Sequence, residues 1–199
     1  MEKKAQLENA NNNGLKLNLG CGFQKKEGYI NVDISPSFMP DLQLDLATEK
    51  WPWKDSSVSE CHFEYSLEQM GTTIKELEHV HKELFRVCHA GAKVFITAFH
   101  PRSDQFFLNP NCTQRISPDF FHLLSMQRNL TMIANAASND VLGMKWGVNF
   151  DVPRFKYLIS ANFQIDVESG RISEAEIRRR MTYENNICQA FEVDLTVLK

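Results

Sequence analysis

The sequence predicts an α/β fold with a mostly parallel sheet flanked by helices, and three observations predict it. Strand and helix signals alternate through the first half of the chain, the pattern of strands joined by crossover helices. The run Leu15-Lys16-Leu17-Asn18-Leu19 alternates apolar with polar residues and stops at Gly20-Cys21-Gly22, a strand running into a tight turn. Lys93 to Phe99, Lys-Val-Phe-Ile-Thr-Ala-Phe, has the strand composition most clearly of any stretch.

Taken in order, residues 1–13 are polar and Asn-rich and read as a flexible leader ahead of one domain over 14–199. After the first strand, Tyr29 to Asp33 reads as a second and Asp41 to Leu46 as a third. Ser59 to Ser66 reads as a fourth, beyond a loop holding Trp51 and Trp53, which are expected to cover a core edge. From Thr73, Ile74, Leu77, Val80, Leu84, Phe85 and Val87 recur near helical spacing. That helix is expected to run to His89-Ala90-Gly91, with Gly91 at its C-terminal cap. Beyond the Lys93–Phe99 strand, a helix is expected from about Pro118 to Ala137 with Ser117 as its cap. Strands follow near Phe155–Ile159 and Phe163–Val167, then a charged helix from Ser173, and a final strand near Phe191–Leu198 that completes the sheet in antiparallel sense.

Bulk properties exclude several function classes. A chain of 199 residues suits one domain with a substantial core. The formal net charge of −3 argues against a nucleic-acid backbone as main partner, and Arg178-Arg179-Arg180 reads as the solvated side of a helix. The five cysteines are scattered and never spaced C-x-x-C, so neither a disulfide framework nor a metal site is expected. No apolar run approaches the roughly 18 residues of a membrane span, and the N-terminus has no signal-peptide core. A soluble, cytoplasmic protein is expected.

In an open α/β sheet, ligands sit outside the carboxyl ends of the strands. Gly20 and Gly22 would let backbone approach a ligand where a Cβ would collide. Asp33, closing the second strand, is able to accept bonds from both hydroxyls of a ribose. Asp45 is placed to receive the exocyclic amine of adenine, with Leu46 offering its backbone amide to the ring. Each feature also has a plainer use: a Gly-x-Gly as an ordinary turn, an aspartate as a turn former or cap, and Cys21 as a small packing residue.

Leu17-Asn18-Leu19-Gly20-Cys21-Gly22, Gly28-Tyr29-Ile30-Asn31-Val32-Asp33 and Asp45-Leu46, in this order, resemble class I S-adenosylmethionine-dependent methyltransferases with a Rossmann-like sheet. More narrowly, they resemble a small bacterial, type 11-like group. Ser66-Leu67-Glu68, the passage from Phe85-Arg86-Val87 to Gly91-Ala92-Lys93-Val94, and His100-Pro101-Arg102-Ser103-Asp104 are similar to its later motifs. The resemblance implies S-adenosylmethionine as cofactor and S-adenosylhomocysteine as product. It implies that Asn18, Leu19, Gly20, Cys21 and Gly22 hold the methionine portion and Asp33 the ribose. Ile34 would pack on the adenine and Asp45 and Leu46 would read its edge, while Tyr65, Ser66 and Leu67 line the site near the sulfonium. The acceptor it suggests is a small molecule or saccharide.

Three departures mark the site. Asn18 stands where many such enzymes carry an acid, so a bond to the ligand's ammonium group would lack charge assistance. Gln24 replaces a third glycine. Only the eight residues Phe23 to Ile30 separate the turn from Asn31-Val32-Asp33, whereas a parallel crossover usually takes about a dozen, so the first helix is expected to shrink to about one turn. Gln69 replaces a histidine of the group and is given no role.

If the acceptor must lose a proton, His100 is the first candidate base, followed by Glu68 and Asp104. The plainer uses are a loop-capping or substrate-orienting His100 and a Glu68 that caps the following helix. A non-catalytic S-adenosylmethionine-binding protein of the same fold is the alternative function. A nicotinamide-dependent dehydrogenase fits poorly, because the third glycine is missing and the acid comes well before the usual spacing of about 20 residues. An aminopropyl transferase would need a carboxylate-rich pocket that the sequence does not display.

Overall fold

A computed structural model describes residues 14–137 and 140–199; the expected leader over 1–13 lies outside the described residues. The strands are β1 (Leu15–Leu19), β2 (Ile30–Asp33), β3 (Leu42–Gln43), β4 (Val58–Glu64), β5 (Cys88–Phe99), β6 (Phe150–Ile159) and β7 (Cys188–Val197). Among the described residues they form one sheet in the order β3-β2-β1-β4-β5-β7-β6. The pairings from β3 to β5 are parallel, and β7 runs antiparallel to both β5 and β6. The mostly parallel sheet with a final antiparallel strand is therefore the fold present. Strand order reverses beside β1, which has β2 on one side and β4 on the other, so a ligand crevice belongs at the carboxyl ends of β1 and β4.

Helices α1 (Ile74–Val87), α2 (Asp104–Leu108), α3 (Pro118–His122), α4 (Met126–Ala134), α5 (Leu142–Trp146), α6 (Ala161–Glu168) and α7 (Glu174–Tyr183), with short 3-10 turns at Pro36–Phe38 and Leu67–Gln69, complete the elements. A capping box starts α1: the Thr73 side chain accepts from the Glu76 amide, and the Glu76 carboxylate accepts from the Thr73 amide. Leu77, Val80 and Leu84 of α1 join Phe121, Leu124 and Trp146 in one core cluster with the sheet. On the sheet's inner face Leu17, Leu19, Cys61, Phe63, Val94, Ile96, Val193 and Leu195 are all buried.

The register puts the alternate residues on the other face, where Lys16 stands beside Glu60, Glu60 beside Lys93, and His62 beside Phe95. These side chains are exposed or half-buried and satisfy one another across the strands. Lys16 Nζ lies 3.2 Å from Glu60, His62 Nε2 donates to Glu60 over 2.9 Å, Lys93 Nζ donates to Thr196 over 2.9 Å, and Arg154 lies 3.3 Å from Asp194. Parallel sheets covered on both faces read as continuous apolar runs; this one alternates because its outer face is polar.

Five expectations are corrected. Between β1 and β2 the chain forms turns with no helix, because the connection is too short and is held by side chains instead. The third strand reduces to Leu42–Gln43, since Asp45 folds the next residues into a turn by accepting from Ala47 N and Thr48 Oγ1. Helix α1 stops at Val87, not Gly91, because the buried Cys88 already pairs with Val58 in the sheet. The long helix from Pro118 breaks into α3 and α4 around the buried Leu124. There the Leu123 carbonyl accepts from Gly143 N and the Leu124 carbonyl from Phe150 N, while Ser117 occupies the cap position without a side-chain bond. Phe163 to Val167 is helical; no residue of α6 is buried, so neither face of that segment is apolar enough to set a readable period. The helix from Ser173 is present as α7, with Ser173 accepting from Glu176 N. Trp51 and Trp53 are buried at the core edge.

Candidate functional site

Four neighbouring parallel strands deliver the predicted cofactor residues to one edge of the sheet. β1 leads into Gly20, β2 ends in Asp33, β3 leads to Asp45 and Leu46, and β4 leads into Tyr65, Ser66 and Leu67. The turn after β1 is built by conformation and by contact. Gly20 has φ +71°, and a Cβ added there would lie 2.5 Å from Ser66 Cβ, so only glycine fits between β1 and β4. Ser66 Oγ donates to the Leu19 carbonyl over 2.8 Å, stitching the two strand ends together. Gly22 also has a positive φ, +49°, yet a Cβ there would meet nothing within 4 Å. Its amide donates to Asp33 Oδ2 over 2.9 Å, and Ser35 N donates to Asp33 Oδ1 over 2.9 Å. Asp33 is thus fixed at the end of β2, with lone pairs remaining on both oxygens.

The helix-free crossover is held by an amide network. Asn18 Nδ2 donates to the Gln24 carbonyl and to Asn31 Oδ1, each over 2.9 Å. Asn31 Oδ1 also accepts from Lys26 N, and Asn31 Nδ2 donates to Asp41 Oδ2 over 2.8 Å. Asn18 and Asn31 are 1% and 5% exposed, so the amide oxygen of Asn18 keeps a fixed orientation. Asn31 was only part of a motif in the sequence; its buried position after a clipped crossover is the signal for its structural role.

The site has an apolar border. Ile34 and Phe23 are exposed beside the turn, and the Phe23 ring meets Phe38 edge-on at 4.7 Å. Leu19, Leu46 and Leu67 are buried, so only their backbone can face a ligand. The Cys21 side chain packs inside, where burial raises its thiol pKa. Both Asp45 oxygens serve their own turn, and the Asp45 amide donates to Glu49 Oε1 over 2.8 Å. Tyr65 has φ +50°, a conformation that costs a residue with a Cβ about 1–2 kcal/mol. Gln69, given no role above, holds this turn by donating from Nε2 to the Tyr65 carbonyl over 2.6 Å.

The three candidate bases stand in different settings. Glu68 is fully buried; its Oε1 accepts from Phe99 N over 3.1 Å and its Oε2 has no partner among the described residues. It ties β4 to β5 and does not cap α1, which Thr73 caps. Burial in this setting pushes its carboxyl pKa up to about 7. Asp104 is exposed on the first turn of α2. His100 lines a cavity of about 750 Å³ beyond β5, with Arg102, Arg115, Asp119, Phe155 and Tyr157 among the other walls. His100 Nδ1 accepts from Arg102 N over 3.2 Å, and burial, with Arg102 nearby, lowers its pKa. In the neutral tautomer that permits this bond the proton is on Nε2. The cavity residues come from segments far apart in the chain, with no shared motif to reveal them.

No family model matches the chain, and no curated protein does. Solved structures do match. A SAM-dependent methyltransferase from Archaeoglobus fulgidus is 12% identical, over 98% of this chain and 91% of that one, with a TM-score of 0.62. A SAM-dependent methyltransferase from Methanosarcina mazei is 13% identical, over 98% and 97%, with a TM-score of 0.54. The Bacillus subtilis protein YcgJ is 8% identical, over 99% and 97%, also with a TM-score of 0.54. The chain has the Rossmann-like fold of S-adenosylmethionine-dependent methyltransferases.

Proposed function

We propose that the chain binds S-adenosylmethionine across the ends of β1, β2 and β4 and transfers its methyl group to a small acceptor in the cavity beyond β5. The observation that carries this reading is the Gly22–Asp33 pair at the switch in strand order. There the open Cβ position of Gly22 adjoins a fixed carboxylate able to accept from ribose hydroxyls. The fold shared with methyltransferases of other organisms supports it.

Asn18 to Gly22 would hold the methionine portion, Asp33 the ribose, Ile34 the adenine face, and Asp45 and Leu46 the adenine edge. Asp45 would act there with oxygens already engaged in its turn, and the buried Leu46 through its backbone. Tyr65 to Leu67 would line the methyl-transfer side. Bound there, S-adenosylmethionine supplies a methyl on a sulfonium: the acceptor's lone pair forms the new bond as the carbon–sulfur bond breaks, and that electron pair returns to sulfur. The chain's own contribution is alignment and exclusion of water. His100 Nε2 orients the acceptor by donating to it. If the acceptor loses a proton, Asp119 is the cavity-lining carboxylate without a partner among the described residues and is placed to accept it.

Calorimetry with S-adenosylmethionine and with NAD tests the central claim; micromolar NAD binding without S-adenosylmethionine binding overturns it. Asp33→Ala is expected to weaken S-adenosylmethionine binding by about 1–3 kcal/mol. Unchanged affinity in the folded variant would remove Asp33 from the ribose site. A turnover assay over metabolites and nucleotide sugars, detecting methylated product, separates an enzyme from a silent binder.

A further inference from the structure

We infer that the cavity beyond β5 selects a small anionic ligand, a carboxylate or phosphate on a flat apolar body, read by Arg115 and Arg102 against the rings of Phe155 and Tyr157. As the identity of an acceptor, the inference rests on the methyl-transfer reading; as a statement about the cavity it stands on the charges alone.

The cavity walls carry Arg102, Arg115 and Arg178 against Asp119 and Glu184. Two of these five charges are already neutralised: Arg178 pairs with Glu174 over 2.9 Å, and Glu184 with Arg180 over 2.6 Å. Arg102 is held by neutral groups alone. Its Nη1 donates to the Met181 and Thr182 carbonyls, each over 3.0 Å, and its Nε to Asn185 Oδ1 over 3.2 Å. Those bonds fix the guanidinium without cancelling its charge and leave the Nη2 edge for a ligand. Arg115 has no hydrogen bond or ion pair among the described residues. Two uncompensated guanidinium groups therefore face one unpaired carboxylate, Asp119, and a negatively charged group on the ligand offsets the excess.

Burial lowers the His100 pKa, so His100 adds a donor and no further charge. Phe155 and Tyr157 stand edge-to-face at 5.7 Å on β6, a wall suited to an apolar ring. A volume of about 750 Å³ suits a small molecule carrying such a ring. Planar guanidinium groups bind carboxylate and phosphate oxygens in pairs.

The test is calorimetric titration of the full chain with benzoate, benzamide, benzylamine and phenyl phosphate. Benzoate or phenyl phosphate is expected to bind at least tenfold more tightly than benzamide, and Arg115→Gln, at an exposed position, to remove that preference. The inference is overturned if benzamide binds as well as both anions, if Arg115→Gln keeps the preference, if benzylamine binds best, or if no probe binds at 10 mM. S-adenosylmethionine is titrated into the same samples. Anion preference without S-adenosylmethionine binding defeats the methyl-transfer reading and leaves the cavity inference standing; the reverse defeats only the inference.

Discussion

Gly20 and Gly22 sit two residues apart in one turn, yet different physics holds each of them. A Cβ on Gly20 would strike Ser66 Cβ at 2.5 Å, whereas a Cβ on Gly22 meets nothing. Gly20→Ala therefore adds a clash between two strand ends to the cost of a positive φ. It is expected to lose about 2–4 kcal/mol of stability. Gly22→Ala carries only the conformational cost, about 1–2 kcal/mol, but places a methyl where the ligand is proposed to approach. Urea unfolding and S-adenosylmethionine titration of the two variants check this. Equal stability losses would sink the distinction, as would undiminished S-adenosylmethionine binding by Gly22→Ala. The sequence displays the Gly-x-Gly pair plainly; that one glycine serves packing and the other openness depends on Ser66, 46 positions from Gly20.

At the scale of elements, the crossover from β1 to β2 replaces a helix with side-chain hydrogen bonds. Asn31 accepts from Asn18 and Lys26 and donates to Asp41 inside the structure. Asn31→Ala leaves those buried groups short of partners and is expected to cost about 1–3 kcal/mol. S-adenosylmethionine affinity should fall with it, because the same network holds the turn that carries Gly22. A loss below 0.5 kcal/mol in urea unfolding, a margin typical of unimportant surface sites, would show that the crossover does not depend on the network. The residue count between the turn and β2 made a shortened helix legible in advance. Its complete replacement was not legible, because the side chains that substitute for it, Asn18, Asn31 and Asp41, come from three separate segments.

Across the whole molecule, two buried titratable groups oppose each other as pH changes. His81 is buried among Phe120, Phe121 and Trp146; its Nδ1 donates to the Leu77 carbonyl over 2.7 Å, and its Nε2 has no partner among the described residues. Burial lowers its pKa to about 4. The unfolded chain then binds the extra proton first, so stability falls as pH drops from about 6.5 towards 4. Glu68 has its pKa raised to about 7, so the folded state binds its proton first. Its neutral form favours folding at low pH, and that advantage is lost as pH rises through about 7. Each effect is worth about 2 kcal/mol between pH 7 and pH 5, with opposite signs. Relative to wild type, Glu68→Gln should lose about that much stability over this interval on acidification, and His81→Phe should gain it. Urea unfolding at the two pH values decides, and parallel profiles for all three proteins would refute the assignment.

The sequence by itself determined the strand-helix alternation, the glycine turn, the acid closing β2 and the start of α1 near Thr73. Each is set by neighbours within a few residues, through periodicity, backbone conformation or a local hydrogen bond. Only the tertiary structure decided which alternative the remaining segments took. The helix expected from Pro118 breaks because β6 and α5 take its carbonyls, and Asp45 closes a turn where a third strand was expected to continue. His100, Arg102, Arg115, Asp119, Phe155 and Tyr157 become one cavity because β7 enters between β5 and β6. Contacts between distant segments set those outcomes, and a linear pattern carries no record of them.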